Sequence, residues 1–416
     1  MTSSIPLAHR LFDAVARKTA DPPGVTRDTY GPGEQAAHDI VRAEADAMGL
    51  AVRIDAVGNL YMTLPGADRR RPGVMIGSHL DSVPHGGNYD GAAGVVAGLM
   101  LVDDLITANT VPPMDITVVA FRGEESWFPT SYIGSSAALG IFDPNDLQAL
   151  RDDTGRSLAV HMRESKFDPG VIERGAAQID PATIAAFIEV HIEQGPALVG
   201  QGIPVGVVTA INGGIRYMEA KAVGVWDHSG ATPRRYRKDA SLAVADLAMI
   251  LEEAWDVIEA RGQAATITFT QLATNPGLHG GSKIAGEVHF ALDVRSEFPE
   301  VLQEIQQVLA TASDTIKAKR GVEITMGPNS TWPIARLDPA LVDHMLMCVD
   351  LAGVAAIPMP SGAGHDAAIF ANESIATAML FVRNANGSHN AHETMEIEDL
   401  AQAVSVLKQF ILNDLP

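Results

Sequence analysis

One segment, residues 74–106, constrains the fold of this chain more than any other. The apolar run VMI passes into the glycine-rich stretch GSHLDSVPHGGNYDG, and the apolar stretch AAGVVAGLMLVDDLI that follows is typical of a helix. Three later apolar runs are likewise typical of strands: DITVVAF at 115–121, TIAAFIEVHI at 183–192 and ATAMLFV at 376–382. Because strands alternate with helical segments, the sequence predicts an α/β fold with a layered sheet.

The pattern changes between residues 212 and 328. RYMEAKAVGVW predicts a strand, residues 239–260 a helix, ATITFTQLA and GEVHFALDVR two strands, residues 299–319 a second helix, and VEITMG a last strand. The order β-α-β-β-α-β matches a ferredoxin-like unit. The sequence therefore predicts a domain inserted at 212–328, with the main domain built from 1–211 and 329–416.

Composition narrows the choice of partners and of location. The 416 residues include 30 basic and 51 acidic side chains, for a formal charge of -21. Such a surface repels phosphate backbones and anionic lipids, so neither nucleic acid nor a membrane is an expected partner. Cys348 is the single cysteine, which excludes an intramolecular disulfide and a thiolate cluster. Without an apolar leader or an apolar run near the roughly 20 residues that span a bilayer, we expect a cytoplasmic protein.

Ionisable side chains follow the ends of four predicted strands, where ligands bind in open α/β sheets. They are His79, Asp81 and Asp90 after the first strand, Glu124 and Glu125 after the second, His191, Glu193 and Gln194 at the third, and His389, His392 and Glu393 after the fourth. Each group alone has an ordinary explanation, such as a hydrogen-bonded histidine, an Asp-Gly turn or a solvated glutamate pair. Together at one sheet edge they would repel one another or lack partners unless a cation held them.

The ligand types indicate which cation fits. A mixed nitrogen and oxygen set without sulfur suits zinc, manganese, cobalt or nickel. The histidines and carboxylates are more than the three protein ligands of one open catalytic zinc site, whereas two metals sharing a carboxylate, about 3.5–4 Å apart, would use the surplus. Asp81, two residues after His79, can accept a hydrogen bond from the imidazole N–H that faces away from the metal.

Seven motifs in one order along the chain carry a family resemblance: GSHLDSVPHGGNYDGAAGVVAGL, FRGEES, EVHIEQGPAL, DHSGATP, LDVRS, SGAGHDA and GSHNAHE. The chain resembles the hydantoinase/carbamoylase-type amidohydrolases, which include allantoate amidohydrolases, N-carbamoyl-L-amino-acid hydrolases and β-ureidopropionases. These belong to a larger group of dinuclear-metal aminoacylases and carboxypeptidases. The resemblance covers nearly the whole chain, from about residue 24 onwards. It implies a zinc-aminopeptidase-like central mixed sheet flanked by helices.

The resemblance also implies a role for each matching position. His79, Asp90 and His191 would hold one metal, and Asp90 would bridge to a second that Glu125 and His389 complete. Glu124 would be the general base, and Asp81 the partner of His79. Residues 212–328 would form a lid and dimerisation domain, from which His228 of one subunit reaches the active site of the other. Arg295 would bind a substrate carboxylate, and Gln194 would line the site.

Three positions depart from the family pattern. Ser282 stands where a substrate-contacting asparagine is expected, Trp127 where arginine is frequent, and Ala391-His392 replaces Pro-Ala in the last motif. The expected ligands survive all three changes, so the chemistry is better defined than the substrate.

The expected enzyme hydrolyses a linear amide or carbamoyl C–N bond of a small carboxylate, such as an N-carbamoyl-amino acid or allantoate, with two divalent ions per subunit of a homodimer. Zinc or manganese is expected, with cobalt or nickel as alternatives. A dipeptidase or N-acyl-amino-acid deacylase with the same metal centre, a non-catalytic small-molecule-binding relative and a two-metal phosphoesterase remain alternatives.

Overall fold

The computed structural model describes residues 4–413 and residue 415, and the chain folds as two compact units. The first combines the chain up to Thr209 with the chain from Arg336 onwards, and the second is Ala210–Ala335. The chain returns from the second unit to the first between Ala335 and Arg336, which is later than the 328/329 boundary that the sequence predicts. The reason is the strand Asn329–Trp332, which pairs antiparallel with the strand Gly213–Val223 and therefore belongs to the inserted unit.

A mixed sheet forms the centre of the first unit. Eight of its nine strands follow one another in the order Ala335–Arg336, Val205–Ile211, Thr377–Val382, Ile184–Ile192, Gly73–His79, Ile116–Phe121, Leu60–Leu64 and Ala51–Ile54. The ninth, Ala356–Ser361, pairs with Val205–Ile211. Short two-stranded pairs join Ala20–Asp21 to Gly24–Val25 and Asn384–Ala385 to Thr394–Met395. This arrangement confirms the mixed α/β fold expected from the alternating pattern.

Four neighbouring strands of this sheet run parallel: Thr377–Val382, Ile184–Ile192, Gly73–His79 and Ile116–Phe121. Their carboxyl ends consequently meet at one edge of the sheet. In open α/β sheets, ligands bind beyond the carboxyl ends of the strands. Side chains in the loops at this edge are therefore candidates for a binding site.

Helices flank the sheet: Ile5–Lys18, Pro32–Ala47, Ala92–Thr107, Ile133–Ala138, Leu158–Glu164, Gly170–Glu173, Ala197–Gln201, Pro339–Ala352, Asp366–Asn372 and Ile397–Leu412. The helix Ala92–Thr107 is apolar almost all round because it packs between the sheet and the helix Ile397–Leu412. A Cβ atom at Gly94 would lie 2.2 Å from the carbonyl oxygen of Val190. Glycine there lets this helix approach the strand that carries His191.

The second unit contains an antiparallel sheet and two long helices. Its main strands follow the order Thr266–Thr274, Glu287–Ser296, Gly213–Val223 and Glu323–Thr325, and its helices are Ala240–Ala260 and Pro299–Arg320. Leu247, Leu251 and Ile258 are buried on one face of the first helix, and Trp255 packs partly buried beside them. A small ladder pairs Asp227–His228 with Lys283–Ile284.

Within residues 4–413, no helix combines the length and the apolar character needed to cross a membrane.

Candidate metal centre

The four parallel strands deliver ionisable side chains to the carboxyl edge of the first unit. His79 is the last residue of its strand, and His191 is the last but one of the neighbouring strand. Glu124 and Glu125 lie just beyond the strand Ile116–Phe121. Asp90 directly precedes Gly91, the N-cap residue of the helix Ala92–Thr107. His389 lies in the loop after Asn384–Ala385.

His79, Asp90 and His191 form a first, buried set of ligand atoms that all lie within 4.8 Å of one another. The Nε2 atoms of His79 and His191 lie 3.6 and 3.1 Å from Oδ1 of Asp90 and 3.5 Å from each other. Two imidazole nitrogens and one carboxylate oxygen that lie this close together form a donor set of the kind that binds a transition-metal ion.

Asp90, Glu125 and His389 form a second set within the same limit. Nε2 of His389 lies 3.4 Å from Oδ2 of Asp90 and 3.7 Å from Oε1 of Glu125. Asp90 thus presents Oδ1 to the first set and Oδ2 to the second. A carboxylate used in this way is suited to bridge two cations.

The chemistry of the donor set fits a divalent cation. Oε1 of Glu125 is buried and has no hydrogen-bond partner within the described residues. Burial acts to raise the pKa of Asp90, but the imidazoles of His191, His79 and His389 outweigh it and hold that pKa well below its ordinary value. A buried carboxylate held in its charged form needs compensating positive charge, which a metal ion provides.

Each buried imidazole is oriented by a bond at its other nitrogen. Nδ1 of His191 donates to the carbonyl oxygen of Ile192 at 2.8 Å, because a carbonyl can only accept. Nδ1 of His79 lies 3.3 Å from Oδ1 of Asp81. Both contacts leave Nε2 toward the ligand set, as is usual for histidines that bind metal.

Asp81 has a second connection, to the two glutamates. Its carboxylate accepts the hydroxyl of Thr29 at 2.6 Å and the backbone N–H groups of Glu124 and Glu125 at 3.2 and 3.1 Å. The side chain that faces His79 therefore also fixes the backbone of the loop in which Glu124 and Glu125 lie.

Glu124 lies beside the first set without belonging to either set. Its Oε2 is 3.7 Å from Nε2 of His79, and its side chain is 11% exposed. Burial raises the pKa of Glu124 well above its ordinary value, although the imidazole of His79 opposes the shift. A carboxyl group of raised pKa beside a metal site is suited to accept and return a proton.

Gln194 and Gly91 complete the surroundings of Asp90. Nε2 of Gln194 donates to Oδ2 of Asp90 at 2.9 Å and lies 3.4 Å from Nε2 of His389. Gly91 has a φ of +65°, and a Cβ atom there would lie 2.4 Å from the imidazole of His79. The glycine is required because the His79 ring occupies the space of a side chain.

The remaining candidates lie in the second unit. His228 is exposed on the small ladder opposite Lys283, and its Nδ1 accepts the backbone N–H groups of Gly230 and Ala231. The carbonyl oxygen of Ser282 accepts the N–H of Ser229. Arg295 donates from Nε to Oδ1 of Asp293 at 2.7 Å. These contacts are internal to the unit, and the roles of His228, Ser282 and Arg295 stay predictions.

Some residues near Asp90 received no role from sequence reasoning. Arg27, Ser388 and Glu393 all contact Asp90 or its backbone. Glu393 follows the fourth strand, which marked it as a candidate, whereas nothing in the local sequence signals that Arg27 lies there. Trp127, at one position that departs from the family pattern, donates from Nε1 to the carbonyl oxygen of Ser82 at 2.7 Å.

Imidazoles and carboxylates arranged around one shared aspartate, at the carboxyl edge of an α/β sheet, define a class of metal-dependent hydrolases. The chain belongs to peptidase family M20/M25/M40, whose family model matches residues 75–413.

Relatives and solved structures extend this result over nearly the whole chain. The chain is 36% identical to an N-carbamoyl-L-amino acid amidohydrolase of Geobacillus stearothermophilus over 92% of each protein. It is 33% identical to an allantoate amidohydrolase of Escherichia coli, over 93% of this chain and 92% of the relative. A hydantoinase/carbamoylase family amidase from Burkholderia ambifaria superimposes with a TM-score of 0.86 at 29% identity, covering 98% of this chain and 96% of that one. These likenesses confirm the family resemblance of the sequence motifs.

Proposed function

We propose that this chain is a metal-dependent amidohydrolase that cleaves a linear carbamoyl or amide C–N bond in a small carboxylate molecule. The observation that carries the proposal is the pair of ligand sets sharing Asp90, with Glu124 beside them. The relatives named as carbamoyl-amino-acid and allantoate amidohydrolases support a bond other than a peptide bond.

His79, Asp90 and His191 hold one divalent ion in this proposal, and Asp90, Glu125 and His389 hold a second. Bound divalent ions would polarise the scissile carbonyl and lower the pKa of a water molecule. Zinc or manganese suits this donor set, and cobalt or nickel are further candidates. Asp81 keeps His79 oriented and holds the backbone of both glutamates.

Glu124 is the proton carrier of the proposed reaction. It takes a proton from the attacking water and delivers it to the leaving nitrogen, so that one carboxyl group serves as base and then as acid. Its position supports both steps, because Oε2 of Glu124 lies beside the first ligand set while the side chain belongs to neither set.

His228 is the proposed donor to the oxyanion. Since its Nδ1 accepts two backbone N–H groups, the proton of the neutral imidazole is on Nε2, which can then donate. We propose that it acts on the active site of the other subunit in a homodimer formed through the inserted unit. Arg295 binds the substrate carboxylate, for which a planar guanidinium is suited, while Gln194 and Ser282 line the pocket.

A substrate panel tests the reaction class. We expect N-carbamoyl-amino acids or allantoate to be turned over faster than dipeptides and N-acyl-amino acids, as the names of the relatives suggest. The metal ligands would be the same for all of these compounds, so a difference in rate reports which bond and leaving group the enzyme accepts. Ammonia and amino-acid release are measured for each compound, with Glu124→Gln protein as the control for contaminating hydrolases. Faster cleavage of dipeptides would indicate the alternative dipeptidase, and chelator-insensitive binding without turnover would indicate a non-catalytic relative.

Mixing inactive protomers tests the contribution of His228. His228→Ala and Glu124→Ala proteins are each expected to be nearly inactive, yet together they should regain about one quarter of wild-type turnover. Half of randomly formed dimers are mixed, and each mixed dimer would contain one complete site. Mixed dimers isolated by two different affinity tags should show about half of wild-type turnover, because one of their two sites is complete. A Glu124→Ala pair carrying both tags is the control. No recovery in such isolated dimers would rule out donation between subunits.

The location of the protein in the cytoplasm stays a prediction.

A further inference from the structure

We propose that Arg27 and Glu393 are positioning residues that hold the backbone of Asp90 at its C=O and at its N–H. They come from opposite ends of the chain and contact the peptide units on either side of the Asp90 Cα atom. The inference rests on the proposed function, because Asp90 matters in this way only if it is the ligand that both metal ions share.

Glu393 binds the N–H side. Its Oε1 accepts the backbone N–H groups of Tyr89 at 2.8 Å and of Asp90 at 3.2 Å. The side chain is nearly inaccessible to solvent. A Cβ atom at Gly87 would lie 2.3 Å from its carboxylate, so the glycine in this loop makes room for Glu393.

The carboxylate of Glu393 is also connected to the side chain of Asp90. The hydroxyl of Ser388 lies 2.7 Å from Oε2 of Glu393 and 2.5 Å from Oδ2 of Asp90. Oδ2 is the oxygen that faces the second ligand set. Glu393 therefore constrains both the backbone of Asp90 and, through Ser388, the rotation of its carboxylate.

Arg27 binds the C=O side and is completely buried. Its guanidinium donates to the carbonyl oxygens of Leu80 at 2.6 Å and of Asp90 at 3.2 Å, and it reaches Oδ1 of Asn88 at 3.4 Å. These acceptors lie at both ends of the loop that joins His79 to the helix Ala92–Thr107. One side chain thus connects the backbone next to the first histidine with the backbone of the shared aspartate.

Within the part of the chain that the structure describes, the guanidinium of Arg27 donates to uncharged acceptors. Burying a cation in this way is costly, and the cost indicates a local role. Burial lowers the pKa of Arg27, and the negative charges of Glu393 and Asp90 are the main opposing influences. The charge of Glu393 thus opposes the effect of burial on Arg27, while its carboxylate binds the neighbouring peptide, the one that carries the Asp90 N–H. Ligand atoms must lie within about 0.2 Å of their ideal metal distances, so a glycine-rich loop gains affinity from being held at two points.

The test measures metal affinity separately from activity. Arg27→Met, Glu393→Gln and wild-type protein are stripped of metal and titrated with cobalt(II), whose absorption reports the ligand geometry. Competition with a chelator then gives the affinity of each ion. Loss of a group that supports a ligand typically weakens metal binding about 10–100-fold, and we expect this effect for Arg27→Met, with an altered cobalt spectrum.

Arg122→Met is the matched control. Arg122 is also buried and donates to a backbone carbonyl, that of Gly58, but its ion pair is with Glu34, away from the backbone of Asp90. We expect this variant to lose thermal stability in the absence of metal and to keep the wild-type cobalt affinity. A general loss of packing would instead affect stability in all three variants and cobalt affinity in none.

The outcomes distinguish failure of the positioning role from failure of the proposed function. Wild-type cobalt affinity and spectrum in both Arg27→Met and Glu393→Gln would overturn the positioning role and leave the metal pair intact. Failure of the wild-type protein to bind cobalt would overturn the proposed function and this inference with it. If Arg27→Met does not fold, Arg27→Lys, which keeps the charge but not the forked donor geometry, decides together with Glu393→Gln.

Discussion

Glu124→Gln protein is expected to lose about 10²–10⁴-fold in kcat, the usual contribution of a general acid-base group, while its metal content stays at the wild-type level. Glutamine keeps the size of the side chain but cannot accept the proton of the attacking water. Steady-state kinetics on the preferred substrate, combined with metal analysis of the same preparation, measures both quantities.

Glu125→Gln is the informative companion to this variant. The two glutamates are neighbours and their backbone N–H groups bind the same carboxylate of Asp81, yet only Glu125 belongs to a ligand set. We expect Glu125→Gln to lose metal from the second set, whereas Glu124→Gln retains both ions. Near-normal turnover in Glu124→Gln would remove its role as the proton carrier.

Removal of metal is expected to abolish hydrolysis and to lower the thermal stability of the protein. Without cations, the buried carboxylates of Asp90, Glu124 and Glu125 lie near one another, and the nearby imidazoles and the guanidinium of Arg27 compensate their charge in part. A ligand that binds the folded state stabilises it by about 2.7 kcal/mol at a concentration of 100 Kd and by about 4.1 kcal/mol at 1,000 Kd. Thermal unfolding and activity are followed in chelator-treated protein and after return of single metals.

Adding back zinc, manganese, cobalt and nickel separately also identifies which ion supports turnover. The control is the same chelator saturated with metal beforehand, so that it takes up no further ions. It shows any direct effect of the chelator on the protein. Full activity in protein shown by elemental analysis to contain no metal would contradict the proposed chemistry.

The departures from the family pattern have separate structural settings. Trp127 is fixed by its bond to Ser82 and by the guanidinium of Arg151, which lies 4.6 Å from its ring centre. Ser282 belongs to the second unit and pairs through its backbone with Ser229. Neither position belongs to a ligand set, and the effect of these departures on the choice of substrate stays a prediction.

Much of the fold was predictable from local sequence. Apolar runs and helical spacing predicted the strands that carry His79 and His191, because buried strands and helices impose short-range periodicities on the chain. The strands Val205–Ile211 and Ala356–Ser361 were not predicted. The second of these contains two prolines and has few fully buried positions, which conceals the pattern of an ordinary strand.

The sequence by itself determined the family, the α/β class and the residue types at four strand ends, since each depends on short motifs or on periodicity along the chain. The family resemblance implied that Asp90 is shared, and the tertiary structure added that Oδ1 faces one ligand set and Oδ2 the other. Only the tertiary structure decided that Arg27 and Glu393, more than 360 residues apart in sequence, hold the backbone on the two sides of Asp90. Such contacts depend on which loops the parallel strands bring to one edge. That arrangement follows from the packing of the whole chain and leaves no periodic signal in the residues that make the contacts.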